Sequence, residues 1–159
     1  MKKTEEGKLP FSNVHHVGVI VRDVEKAAEF YQSLGIGPFE PLIIEAEERR
    51  LRGKLINDLK LKVMMAHMGP IRIELLQPVK GKGYIWEEFL EEKGGGIHHV
   101  AFLVDDIEKE KAALIKKGLN HIFISKYKNG GGAAYFEPDE NDGFVLEIFQ
   151  RPRDYAAHD

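Results

Sequence analysis

The chain has 159 residues, 43% hydrophobic and 31% charged, with 23 Lys and Arg against 26 Asp and Glu for a formal net charge of -3. That length suits one globular domain with its own core, and the charge balance lacks the basic excess of a general nucleic-acid binder. The absence of cysteine excludes disulfide frameworks, thiolate zinc sites and cysteine nucleophiles.

The opening MKKTEEGKLP has charge but no apolar run behind it, and no stretch approaches the ~20 apolar residues of a membrane span. A cytoplasmic protein without a membrane partner is the expectation. Residues 14–21 are β-branched and apolar, which predicts a strand. Asp23 then offers an N-cap oxygen, and Val24, Ala27, Ala28, Tyr31 and Leu34 recur at helical spacing before Gly35 stops the helix. Strands are expected at about 40–46, 61–67 and 71–77. Glu45, Glu47 and Glu48 beside Arg49 and Arg50 read as a solvated charged turn, with a place at the functional site as the alternative, and Arg49, Arg50, Arg52 and Lys54 read as a surface charge run, with neutralisation of substrate phosphates as the alternative.

Tyr84 to Lys93 suits a linking helix with Trp86, Phe89 and Leu90 on one side. Residues 97–104 predict a strand, and Asp106 caps a helix carrying Ile107, Lys111, Leu114 and Ile115 before Gly118. Three more strands are expected at 120–125, 133–137 and 144–149, the last two joined by a turn at Asn141-Asp142-Gly143. Of the two triple glycines, residues 94–96 read as a hinge and 130–132 as a mobile flap. Neither matches a phosphate-binding fingerprint. Met64, Met65 and Met68 suit core packing, and His121 and His158 carry no pattern.

The chain repeats itself. HHVGVIVRDVEK at 15–26 aligns without a gap on HHVAFLVDDIEK at 98–109, with 7 of 12 positions identical. IRIELLQ at 71–77 matches FVLEIFQ at 144–150, setting Glu74 against Glu147. One domain over residues 1–159 follows, built of module one at about 11–79, a linker helix at about 80–94 and module two at about 95–151.

Strand side chains alternate faces. His15, Val17, Val19 and Val21 would pack beneath the first helix, with His16, Gly18 and Ile20 opposite. In the second copy His98, Val100, Phe102 and Val104 face the helix, and His99, Ala101 and Leu103 face away. Gly18 and Ala101, each two residues past a histidine, leave room beside the imidazole. The same parity puts Glu74 and Glu147 on the face of His16 and His99. Burying either carboxylate alone costs several kcal/mol, which two carboxylates and two imidazoles around one divalent cation avoid. A buried histidine pair with two glutamates in an open sheet is the alternative, and recurrence in both copies at one strand phase favours the metal. Such donors suit Zn, Ni, Co, Mn or Fe(II).

These motifs, from about Val14 to Gln150, resemble the vicinal oxygen chelate superfamily, which includes glyoxalase I, methylmalonyl-CoA epimerase, extradiol dioxygenases and bleomycin-resistance proteins. IRIELLQP, the linker helix and GGGIHHVAFLVDD look most like the epimerase branch. The resemblance implies an α+β fold in which two tandem βαβββ modules form a cup-shaped mixed sheet. It implies one divalent metal on His16, Glu74, His99 and Glu147, with Glu147 or Glu74 loosening to act as catalytic base. Proton abstraction beside a chelated carbonyl follows, in an isomerase or lyase taking a substrate with vicinal oxygens such as an acyl-CoA or a hemithioacetal. Residues 61–68, where the epimerases carry a further carboxylate, hold Lys62 and His67 but no acid. Extradiol ring cleavage and metal-free ligand sequestration are the alternatives, and a homodimer is expected.

Overall fold

The computed structural model describes residues 11–138, 140 and 142–155. The N-terminal MKKTEEGKLP, Asn141 of the expected turn and His158 lie outside the described residues. The strands are β1 Val14–Ile20, β2 Glu40–Pro41, β3 Ala46–Leu51, β4 Lys54–Leu55, β5 Leu61–Met68, β6 Ile71–Pro78, β7 Gly96–Leu103, β8 His121–Tyr127, β9 Gly132–Phe136 and β10 Val145–Gln150. The helices are α1 Val24–Ser33, α2 Tyr84–Lys93 and α3 Ile107–Lys116. All ten strands join one curved mixed sheet in the order β2-β5-β6-β1-β7-β10-β9-β8-β3-β4. The fold class is therefore α+β, as expected. No helix among the described residues is long and apolar enough to cross a membrane.

The repeat is visible in how the helices are tied down. The Asp23 side chain accepts from the Lys26 N–H at 3.0 Å and Asp106 from the Lys109 N–H at 3.1 Å, each satisfying a donor that the helix start leaves open. The first N–H of α1 goes to Gln77 at the end of β6, and that of α3 to Gln150 at the end of β10, both at 3.0 Å. Each helix then buries its stripe on the outer face of the sheet. Val24 and Ala28 pack on Ala66, Ile73 and Leu75, while Ile107 and Leu114 pack on Ala134, Phe136 and Ile148. The inner face carries Ile20, Leu76, Phe123 and Tyr135, closed by Ile85 and Trp86 of α2, with Phe89 and Leu90 packed alongside.

Four expectations need correction. The strand at 40–46 is only Glu40–Pro41, after which Leu42–Glu45 crosses from β5 to β8, held by Leu42 N–H on Val63 O and Lys128 N–H on Glu45 O. The charged turn is instead strand β3, paired with β8, and a hairpin to β4 through Arg52 and Gly53, both at positive φ as a type I′ turn requires. The glycines at 130–132 form a tight hairpin rather than a flap. A Cβ on Gly131 would stand 2.3 Å from Gln150 O, and one on Gly132 would stand 2.4 Å from Ser125 O. The glycines at 94–96 link α2 to β7, Gly94 being the left-handed C-cap of the helix and Gly96 the first residue of the strand.

The fourth correction concerns His15 and His98. Val14 pairs with Phe102 and His16 with Ala101, so His15 is an extra residue in β1; Gly18 pairs with His99 and Val19 with Ile97, so His98 is an extra residue in β7. A bulge interrupts alternation and re-aims the side chain. Both histidines accordingly turn to the inner face, His15 against Phe149 and His98 against Phe89 and Tyr135.

Candidate metal centre

The site spans the four central strands β6, β1, β7 and β10, and their register builds it in two rows. Gly18 is flanked by Glu74 on β6 and His99 on β7; Ala101 is flanked by His16 on β1 and Glu147 on β10. Each row thus sets one imidazole and one carboxylate on either side of a small residue. The space at Gly18 is taken by the His99 ring, since a Cβ there would fall 2.0 Å from Cε1 and 2.2 Å from Nε2.

All four expected site residues come together. His16 Nε2 lies 3.2 Å from Glu147 Oε2 and 3.7 Å from Glu74 Oε2. His99 Nε2 lies 3.1 Å from the same Glu147 oxygen and 3.4 Å from Glu74 Oε1. Ligand atoms of His16, His99 and Glu147 are all within 4.8 Å of one another, and Glu74 closes the group from the β6 side. His16, Glu74, His99 and Glu147 are 3%, 7%, 0% and 5% exposed.

His16 Nε2, His99 Nε2 and Glu147 Oε2 are buried without a well-formed hydrogen bond among the described residues. Orphaned buried polar atoms are costly. Three of them aimed at one point, with two carboxylates to balance a double charge, fit a divalent cation.

The electrostatics express the same crowding. Burial alone would push His99 down, but the Glu147 and Glu74 carboxylates outweigh it and hold the imidazole up at about 9. Burial would raise Glu147, yet His16 and His99 pull it down to about 2. His15 and His98 are both lowered to about 3, chiefly by burial and then by the neighbouring histidine. Tyr127 and Tyr135 are raised well above the usual phenol range by burial and the two carboxylates, so both keep their hydroxyl protons.

A cavity of about 470 Å³ opens on Glu74 and Glu147, walled by Trp86, Phe123, Ser125, Tyr127 and Tyr135. Arg49 also lines it, paired in register with Ser125. Arg49, expected chiefly in a surface charge run, faces this cavity instead. Its signal was the alternation of Arg49 with Leu51, which packs against the inner core. Glu45, Glu47 and Glu48 stay outside this cavity: Glu45 meets Lys128 at 3.3 Å, Glu48 meets Arg50 at 2.8 Å, and Glu47 is exposed. Lys62 is exposed at the rim, and Met64 and Met68 pack under α1. A second cavity of about 550 Å³ lies past Leu42–Ile44 and takes in His67, Arg72 and Met65.

The sequence profile described as Glyoxalase/Bleomycin resistance protein/Dioxygenase superfamily matches residues 15–136. The mitochondrial methylmalonyl-CoA epimerase of Bos taurus is 28% identical over 141 residues, 86% of this chain and 73% of that protein. The uncharacterized protein YwbC of Bacillus subtilis is 30% identical over 139 residues, 87% of this chain and 97% of its own. Among solved structures, a variant methylmalonyl-CoA epimerase of Streptomyces coelicolor in complex with 2-nitronate-propionyl-CoA superposes with a TM-score of 0.67 at 19% identity, covering 88% of this chain and 97% of the other.

Proposed function

The chain belongs to the Glyoxalase/Bleomycin resistance protein/Dioxygenase superfamily, and from that premise we propose that it is a divalent-metal-dependent epimerase acting on an acyl-CoA whose reacting carbon lies beside a carbonyl. The observation that carries this reading is the meeting of His16, His99, Glu147 and Glu74 at one buried point, where three of the donor atoms have no well-formed hydrogen bond among the described residues. These four residues would hold the ion. When bound, it supplies a Lewis-acid centre for two neighbouring substrate oxygens.

The remaining work falls to the protein's own groups. Glu147 on β10 and Glu74 on β6 stand on opposite flanks of the β1–β7 pair. Epimerisation removes a proton from one face of a carbon and returns one to the other, so two carboxylates placed on either side suit it. Tyr127 and Tyr135 offer hydroxyl donors to developing charge, and Phe123 and Trp86 exclude water. Arg49 offers a positive charge to an anionic acyl-CoA. Likeness to epimerases favours this chemistry over hemithioacetal isomerisation, and Glu74 as fourth donor argues against extradiol cleavage, which uses three.

The test follows solvent exchange. Metal-reconstituted protein in D2O with a 2-substituted malonyl-CoA is expected to introduce deuterium at the carbon between the two carbonyls, read by NMR and abolished by a chelator. Absence of exchange with each of Zn, Ni, Co, Mn and Fe(II) would refute the reading.

A further inference from the structure

The chemistry above leaves the first histidine of each pair unused, although His15 and His98 are only 6% and 5% exposed. Each touches a ligand-type histidine: His15 Nδ1 lies 2.7 Å from His16 Nδ1, and His98 Nδ1 lies 3.0 Å from His99 Nδ1. Two imidazole nitrogens bond only if one carries a proton and the other does not. A neutral histidine that ligates through Nε2 keeps its proton on Nδ1, so the histidine before it must accept there.

At His98 the surroundings permit this. Its ring is enclosed by Phe89, Tyr135 and Trp86, with centroids at 5.0, 6.0 and 6.5 Å, and its own proton can point at an aromatic face from Nε2. At His15 they oppose it. Nη1 of Arg72, a side chain that only donates, meets His15 Nε2. His15 must accept there and keep its proton on Nδ1, directed at His16. The His16 proton then sits on Nε2, 3.2 Å from Glu147. The duplicated pairs therefore run their hydrogen bonds in opposite directions.

We propose that His98 is a positioning residue that sets His99 as the firm ligand of the site, while Arg72, acting through His15, holds His16 as the exchangeable one. This inference rests on the metal-site reading above.

Cobalt(II) is the probe, with affinity measured by competition and ligand geometry by its visible absorption. His98→Phe is expected to weaken binding about 10–100-fold, the cost of losing an outer-shell partner, and to alter the spectrum. His98→Asn, which returns an acceptor at the Nδ1 position, restores most of the loss. Arg72→Met is expected to strengthen binding several-fold, and so is Arg72→Leu, which likewise has no N–H to donate to His15; either variant suffices if the other does not fold. The inference is overturned if His98→Phe binds like the wild type, or if the folded Arg72 variants weaken binding. Failure of the wild type to take up cobalt overturns the metal reading itself, whereas uptake without this split overturns only the inference.

Discussion

The imidazole of His99 occupies the place where a side chain on Gly18 would begin, with Cε1 2.0 Å from the missing Cβ. The backbone of Gly18 does not lie in the left-handed region, so alanine is tolerable there in conformation and intolerable in space. Gly18→Ala is therefore expected to push His99 off its position. Stability falls by about 1–3 kcal/mol, as overpacking does, and divalent-metal affinity falls with it. Thermal unfolding and metal titration of one preparation check both, and a variant that binds metal like the wild type contradicts the placement.

Glu147 and Glu74 are not equivalent. Glu147 shares one oxygen between both imidazoles at 3.2 and 3.1 Å, whereas Glu74 stands 3.7 and 3.4 Å from them. Glu147→Gln is expected to cost more metal affinity than Glu74→Gln, and each to lower turnover by at least about 10²-fold if both move protons. Isothermal titration with kinetics on the same samples separates the two effects; equal affinities would remove the distinction.

The metal-free protein carries its own pH signature. With His99 held up at about 9 against an ordinary 6.5, its protonated form stabilises the fold fully below about 6.5, and that contribution disappears as pH rises through 9. A metal must displace the same proton, so apparent affinity rises with pH up to about 9 and uptake at pH 7.5 releases a proton. Calorimetry in buffers of different ionisation heat measures that release. Affinity flat between pH 6.5 and 9 counts against a charged His99.

Arg49 reaches the metal-side cavity from the far edge of the sheet. Arg49→Gln is expected to raise KM for an anionic acyl-CoA by about 10-fold, the loss of roughly one charged contact, with kcat changing less. Steady-state kinetics decide it, and a change confined to kcat would instead place Arg49 at the reacting atoms.

Much of the site was legible because strand parity is local. His16, Glu74, His99 and Glu147 follow from alternation along β1, β6, β7 and β10, and the repeat supplies the pairing. Gly18 was legible as space beside an imidazole, though not as the seat of His99, which lies on the adjacent strand. The bulges at His15 and His98 escaped because a bulge is a property of register between two strands, and neither sequence alone marks it. Arg49 could not be singled out from Arg50, Arg52 and Lys54, because its charged neighbours mask an alternation completed only when β3 pairs with β8, a strand from the other half of the chain. The crossing at Leu42–Glu45 was missed for the same reason.

Whether these four buried side chains hold one divalent ion is measured directly by the metal content of the purified protein, by elemental analysis after reconstitution and desalting. One divalent ion per chain is expected, reduced to a small fraction in Glu147→Gln and in His99→Ala, with the wild type unfolding at higher temperature when loaded than when stripped. Less than a tenth of an ion per chain in the wild type, with unfolding unchanged by metal or chelator, would contradict it.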